Sequence, residues 1–177
     1  TSCIVHDFAN ANCTTLVNPA NPDLCGVSQF SYFPRGGPVP TQMLVGSSWG
    51  GMEAGTNMLY PSQVVDGLVH RHVEDELSGL KCPVGEVVGT SGGDLNFDFV
   101  LHTASPFFSD SNSRELLAQC YQSVLSMALS DGRLAMPLMG AGARGFPIDV
   151  ASQVAISEAS KTRDKVIVFG VLDPQIA

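Results

Sequence analysis

The sequence predicts an α/β fold, a three-layer α/β/α sandwich whose helices cover both faces of a mixed, mostly parallel sheet. Three observations predict it. Short apolar runs recur along the chain and read as buried strands. Between them, apolar residues repeat at helical spacing. Finally, the run Leu134–Leu138 feeds a glycine-rich turn and then a helix opening at Pro147, the strand–turn–helix joint of parallel sheets.

The elements follow in order. Cys3–His6 and Thr14–Val17 read as short strands. Val64, Val65, Leu68, Val69, Val73 and Leu77 share one face of a helix over about 62–80. Gly85–Thr90 and Phe99–Thr103 read as further strands. A second helix over about 113–129 turns Leu116, Leu117, Cys120, Val124 and Met127 inward. A third runs from Pro147 to about Lys161, with Val150, Ala151, Val154 and Ala155 on its apolar face, and proline suits its first turn. Val166–Val171 closes the series as a buried strand. With no repeat and no composition break, the 177 residues read as one domain.

Residues 27–63 form a long insertion rich in glycine, proline and serine, carrying Phe30, Tyr32, Phe33, Trp49 and Tyr60. Connections in compact domains are mostly about 4–6 residues long. The segment reads either as a surface insertion with its own apolar cluster or as a wall over a ligand site, with Trp49 as a packing anchor.

Composition narrows the function. Apolar residues make up 44% and charged residues 15%, which excludes a disordered chain. Nine lysines and arginines against a net charge of −8 leave no basic patch, so duplex nucleic acid is not an expected partner. No apolar run reaches the roughly 20 residues needed to span a bilayer, so no membrane association is expected. Five scattered cysteines without a C-x-x-C pair suggest free thiols in a reducing compartment, hence an intracellular, cytoplasmic or nuclear location. His6, His70, His72 and His102 form no recognisable metal set, and no metal or cofactor is expected.

The turn Met139-Gly140-Ala141-Gly142-Ala143-Arg144-Gly145-Phe146-Pro147 is the leading candidate site. Small residues let backbone N–H groups converge beside a helix N-terminus, an arrangement that suits a phosphate; it also occurs as a plain packing corner. An acidic protein would hold such an anion with backbone dipoles. Asn21 follows a strand end, where open α/β sheets place ligands, or merely ends a loop. Asp66 opens a helix and either complements its dipole or orients a water; His70 lies one turn on along the same face.

Taken together, these segments resemble the macrodomain family of ADP-ribose-binding modules. His6-Asp7-Phe8 is similar to the family's G-D-I element, with Asp7 eleven positions before Asn18. Val17-Asn18-Pro19-Ala20-Asn21 resembles V-N-A-A-N, and Asn21 to Gly26 its N-x-x-L-x-G continuation. Val65-Asp66-Gly67-Leu68-Val69-His70 resembles V-D-G-A-I-H. Cys82-Pro83-Val84-Gly85-Glu86 resembles the C-P-T-G-E stretch of the hydrolytic, MacroD-type branch. Val100-Leu101-His102-Thr103 is similar to V-I-H-T, and Gly140–Pro147 to the diphosphate loop S-x-G-x-x-G-[YF]-P.

The resemblance implies ADP-ribose as the ligand. Asp7 and the Phe8 backbone would meet the adenine, with Leu172 covering it. Asn21 would hold the distal ribose beside Val65 and Asp66. From Gly140 on, the amides of Gly142, Ala143, Arg144, Gly145 and Phe146 would wrap the diphosphate, and the Phe146 ring would flank the distal ribose. It further implies a hydrolase in which Asn21 and Asp66, with His70 alongside, position a water to release mono-ADP-ribose from acidic side chains of modified proteins. The same site would deacetylate O-acetyl-ADP-ribose. A non-catalytic reader of ADP-ribosylated proteins is the alternative, and a monomer is expected. Two departures bear on it: Pro61-Ser62-Gln63-Val64 stands where the family carries a glycine run, and Arg144 where an aromatic residue is common.

Overall fold

The computed structural model describes residues 2–5, 12–24, 65–66, 69–70, 73, 75–130, 132–142 and 144–171. The expectations for Asp7, Phe8, Ala143, Leu172 and the 27–63 insertion lie outside the described residues.

Six strands form one sheet: β1 (Ser2–Val5), β2 (Thr15–Ala20), β3 (Val87–Ser91), β4 (Phe99–Ala104), β5 (Arg133–Pro137) and β6 (Val166–Val171). Their order is β1-β6-β5-β2-β4-β3. Every pairing is parallel except β3 against β4, so the sheet is mixed and mostly parallel, as the sequence predicts. Two helices are bounded: α1 (Ser113–Met127) and α2 (Ile148–Ser160). The described residues between 65 and 77 are helical as well.

Alternation along the strands builds two cores, because successive side chains point to opposite faces. Val17, Leu101, Leu134, Met136, Ile167 and Phe169 pack with α1 and α2. Leu16, Val100, Ala135 and Val168 pack with Val65, Val69, Val73 and Leu77 from the 65–77 segment. These are the outer layers and central sheet of the sandwich.

One inward assignment is wrong. Met127, in the last turn of α1, is 49% exposed, and Leu116 is only half-buried; the face is completed instead by Tyr121 and Leu125. A stripe centred on Leu117, Cys120, Tyr121 and Val124 is rotated from the one expected, because the fully buried tyrosine ring takes the middle of the contact. On α2 the expected face holds, and Glu158 is buried with it, satisfied by Lys161 Nζ at 2.6 Å and Gln122 Nε2 of α1 at 3.1 Å.

The topology also fixes where a crevice opens. β2 and β5 are parallel neighbours. The chain after β2 reaches the helical residues of one face, whereas the chain after β5 enters α2 on the other. Connections that leave adjacent parallel strands for opposite faces part at their C-terminal ends, the place where open α/β sheets bind ligands.

Candidate functional site

β2 runs directly into a tight turn. The Asn21 carbonyl accepts from the Leu24 N–H at 3.0 Å, and its side-chain Oδ1 accepts from the Asp23 N–H at 3.1 Å. This Asx-type turn holds Asn21 nearly fully buried at the strand end, where the sequence placed it. Leu24 takes a left-handed φ of 47° and drops into the core, closing the turn.

The glycine-rich turn after β5 is held from below. Tyr121 Oη of α1 accepts from the Met139 N–H at 3.0 Å. Gly140 has φ +84° and Gly145 φ +75°, conformations that cost a residue with a Cβ about 1–2 kcal/mol. The Phe146 N–H donates to the Gly140 carbonyl at 3.1 Å, and the Gly145 N–H to the Gly142 carbonyl at 3.0 Å. These two bonds correct the expectation that all the amides from Gly142 to Phe146 face a ligand: the Gly145 and Phe146 amides shape the loop itself. The Phe146 ring is likewise a core residue beneath the loop, edge-on to Phe108 at 5.2 Å. Its sequence position next to a glycine turn could not separate a ring in the core from a ring over a sugar.

Arg144 is buried, its guanidinium 4.5 Å from the centre of the Phe107 ring. Its carbonyl accepts from the Phe108 N–H at 2.8 Å. The loops after β5 and β4 are thereby joined, and β2 lies between those strands. Asn21 thus sits at the end of the strand that these bridged loops flank.

Asp66 is buried on the 65–77 segment with Val65, which packs in the core. His70 Nε2 lies 3.5 Å from Asp66 Oδ1, one helical turn on, as the spacing predicts. Asp66 takes its hydrogen bond from a residue outside the expected site: Asn18 Nδ2 donates to Asp66 Oδ1 at 2.9 Å. Asn18 also reaches His102 Nδ1 at 3.3 Å, and His102 Nε2 lies 2.8 Å from Thr90 Oγ1.

This polar line follows from register. Asn18 is the parallel partner of His102, and His102 the antiparallel partner of Val88, two residues from Thr90. Asn18, His102 and Thr90 occupy the same sheet face as Leu16, Val100 and Val88. Burial pushes the fully buried His102 imidazole down to about 4, against a weaker upward pull from Asp66. The ring is therefore neutral at physiological pH. The signal was available in the sequence: Asn18, His102 and Thr90 are polar residues at inward positions of otherwise apolar strands.

Among the described residues, no three His, Cys, Asp or Glu side chains gather as a metal site. Cys13, Cys82 and Cys120 are buried free thiols; burial pushes Cys82 up to about 11 and so suppresses its thiolate. The chemistry on offer is a buried carboxylate, oriented by an amide of β2 and flanked by a histidine.

Comparison with known proteins agrees with this geometry. The Macro domain family model matches residues 65–155, more than half of the 177-residue chain. A Macro domain-containing protein of Xanthomonas axonopodis pv. citri is 33% identical over 115 residues, 56% of this chain and 63% of that protein. One from Methanosarcina mazei is 32% identical over 123 residues, 64% of this chain and 66% of that protein. The matches therefore span just under two thirds of these relatives. Among solved structures, the Oceanobacillus iheyensis macrodomain with ADP superimposes with TM-score 0.66 at 24% identity, covering 98% of this chain and 84% of that one. The Trypanosoma brucei macrodomain in complex with ADP-ribose does so with TM-score 0.67 at 20% identity, covering 98% and 64%. At these identities the structural likeness is one of fold. The family-model match carries the assignment: this chain belongs to the Macro domain family.

Proposed function

We propose that this macrodomain binds ADP-ribose at the C-terminal ends of β2 and β5 and hydrolyses mono-ADP-ribose from acidic side chains of modified proteins. The observation that carries the reading is Asp66, a buried carboxylate whose Oδ1 is held by Asn18 and flanked by His70. Oδ1 is engaged, so Oδ2 is the oxygen that takes a proton from an attacking water. The water oxygen bonds to the anomeric carbon, the ester C–O bond breaks, and the protein's carboxylate leaves with the electron pair. A carboxylate leaves without a proton donor, so one base is enough. O-acetyl-ADP-ribose, also an ester, is a second substrate of the same site. Support for the ligand comes from family membership and from structural neighbours that bind ADP or ADP-ribose.

In this reading Asn21 holds the distal ribose, and the turn from Gly140 receives the diphosphate through the amides of Gly142, Ala143 and Arg144. Asp7, Phe8 and Leu172 enclose the adenine. The protein acts as an intracellular monomer without a metal or cofactor. The test is turnover on mono-ADP-ribosylated protein by wild type, Asn21→Ala and Asp66→Ala. Asp66→Ala should lose on the order of 10²-fold or more in kcat while still binding ADP-ribose. Equal activity of Asp66→Ala and wild type overturns the catalytic assignment.

One feature of the sequence favours a reader instead: Pro61-Ser62-Gln63-Val64 stands where the family has glycines, and a Cβ at those positions would narrow the approach to the distal ribose. A reader gives a calorimetric ADP-ribose signal with no release of label from the modified protein.

A further inference from the structure

We infer that His102 is a positioning residue for Asp66, acting through the Asn18 side-chain amide. The inference rests on the reading of Asp66 as the base.

The hydrogen bonds have a determined direction. An amide NH₂ group only donates. Asn18 Nδ2 gives one proton to Asp66 Oδ1, so its other proton points at His102 Nδ1, 3.3 Å away. Nδ1 can receive it only when it carries no proton itself. The ring hydrogen then sits on Nε2 and is donated to Thr90 Oγ1 at 2.8 Å. The Thr90 hydroxyl passes its own proton to the Ser91 carbonyl at 3.1 Å. Each link has one donor and one acceptor, from the main chain of β3 to the carboxylate.

Were His102 protonated at Nδ1, N–H would face NH₂, and the amide would turn over. Asn18 Oδ1 would then point at Asp66 Oδ1, oxygen against oxygen. The imidazole thus decides which end of Asn18 meets the carboxylate. Asn18 Oδ1 carries a trace of this choice: it is buried with no hydrogen-bond partner among the described residues. A buried amide oxygen is rarely left so. Its orientation is set by the two acceptors at the nitrogen end, and one of those is His102. The groups facing this line are Asn18 from β2, Thr90 from β3, and Asp66, His70 and Glu76 from the helical segment. Burial holds the imidazole in the neutral form that the arrangement requires.

The test has two arms. In the first, ¹⁵N spectra of the wild-type chain at neutral pH report the His102 tautomer; the Nε2–H form supports the inference, and Nδ1–H or imidazolium overturns it. This arm does not depend on turnover, so a wild type that binds ADP-ribose without hydrolysis defeats the catalytic reading alone. The second arm compares His102→Leu, which has no acceptor, with His102→Asn, whose amide oxygen falls near the place of Nδ1. His102→Leu should lose on the order of 10²-fold in kcat with little change in KM or ADP-ribose affinity. His102→Asn should recover most of that loss, and the Asn18 Nδ2 protons should exchange slowly in wild type and His102→Asn but not in His102→Leu. Full activity of His102→Leu, or equal loss in both variants with binding intact, overturns the positioning role. Should His102→Leu fail to fold, the tautomer and the Asn18 exchange in wild type decide.

Discussion

At the scale of single residues, the fold keeps groups in states they would not hold in water. His102 is the clearest. In the unfolded chain its imidazole takes up a proton near pH 6.5, whereas in the fold burial resists protonation down to about 4. Between these values the unfolded state binds more protons, so stability is full above pH 6.5 and falls as the pH drops toward 4. The loss from this one ring is on the order of 3 kcal/mol. Urea midpoints at pH 7 and pH 4.5 check it: wild type should lose more than His102→Asn, which has nothing to titrate there. Asp66, His70 and Glu76, which act on the ring, are common to both proteins and cancel in the comparison. Glycines in the turn offer a second contrast. A Cβ at Gly140 would stand 3.0 Å from Phe146 Cδ2 and 3.2 Å from Leu117 Cδ2, both core side chains, at a left-handed φ. A Cβ at Gly142 meets nothing within 4 Å. Gly140→Ala should therefore cost at least about 2 kcal/mol in thermal or urea unfolding, and Gly142→Ala under about 0.5. Equal effects would show that the turn is not anchored on the core at Gly140.

At the scale of elements, α1 does more than cover the sheet. Tyr121 lies at the centre of its buried face, and its hydroxyl accepts the first amide of the glycine turn. Tyr121→Phe keeps the packing but leaves the Met139 N–H without its acceptor, a cost of about 1–3 kcal/mol. Because that amide fixes where the turn begins, ADP-ribose affinity should fall too; calorimetry and a thermal melt test the two effects in one protein. A variant that melts like wild type would place the anchor elsewhere. How much of this was legible varies with the signal. Strands such as Leu134–Leu138 and Val166–Val171 were readable because burial on both faces leaves nearly continuous apolar runs. Helix faces were readable to within a rotation: on α1 the period was right, but propensity could not foresee that Tyr121 would displace Met127 from the inward stripe. Asp66 and His70 were legible as a pair because four residues along a helix is one turn. Asn18, His102 and Thr90 were not linked, because their contact depends on register among β2, β4 and β3, which no local pattern encodes.

At the scale of the whole molecule, a net charge of −8 and a proposed anionic ligand must be reconciled. The turn that follows β5 supplies the means: from Gly140 to Gly145 it carries a single charged side chain, Arg144, among glycines and alanines. Fold class, sheet type and two-sided covering were all legible, since alternation of strand and helix patterns constrains them together. An anion held by basic side chains loses affinity as salt rises, because the attraction is screened. Here the long-range field opposes the ligand, and the favourable contacts are short-range amide hydrogen bonds inside the Debye length, about 8–10 Å at ordinary ionic strength. Arg144 lies within the turn, and its guanidinium is already placed against the Phe107 ring. ADP-ribose affinity measured by calorimetry from about 50 to 500 mM salt should therefore stay within roughly 3-fold, or rise as repulsion is screened. A decline of 10-fold or more would mean that side-chain cations, not main-chain amides, capture the diphosphate. Arg144→Gln then separates the sources: removal of a salt-dependent part of the affinity assigns it to that guanidinium, and an unchanged slope returns it to the backbone of the turn.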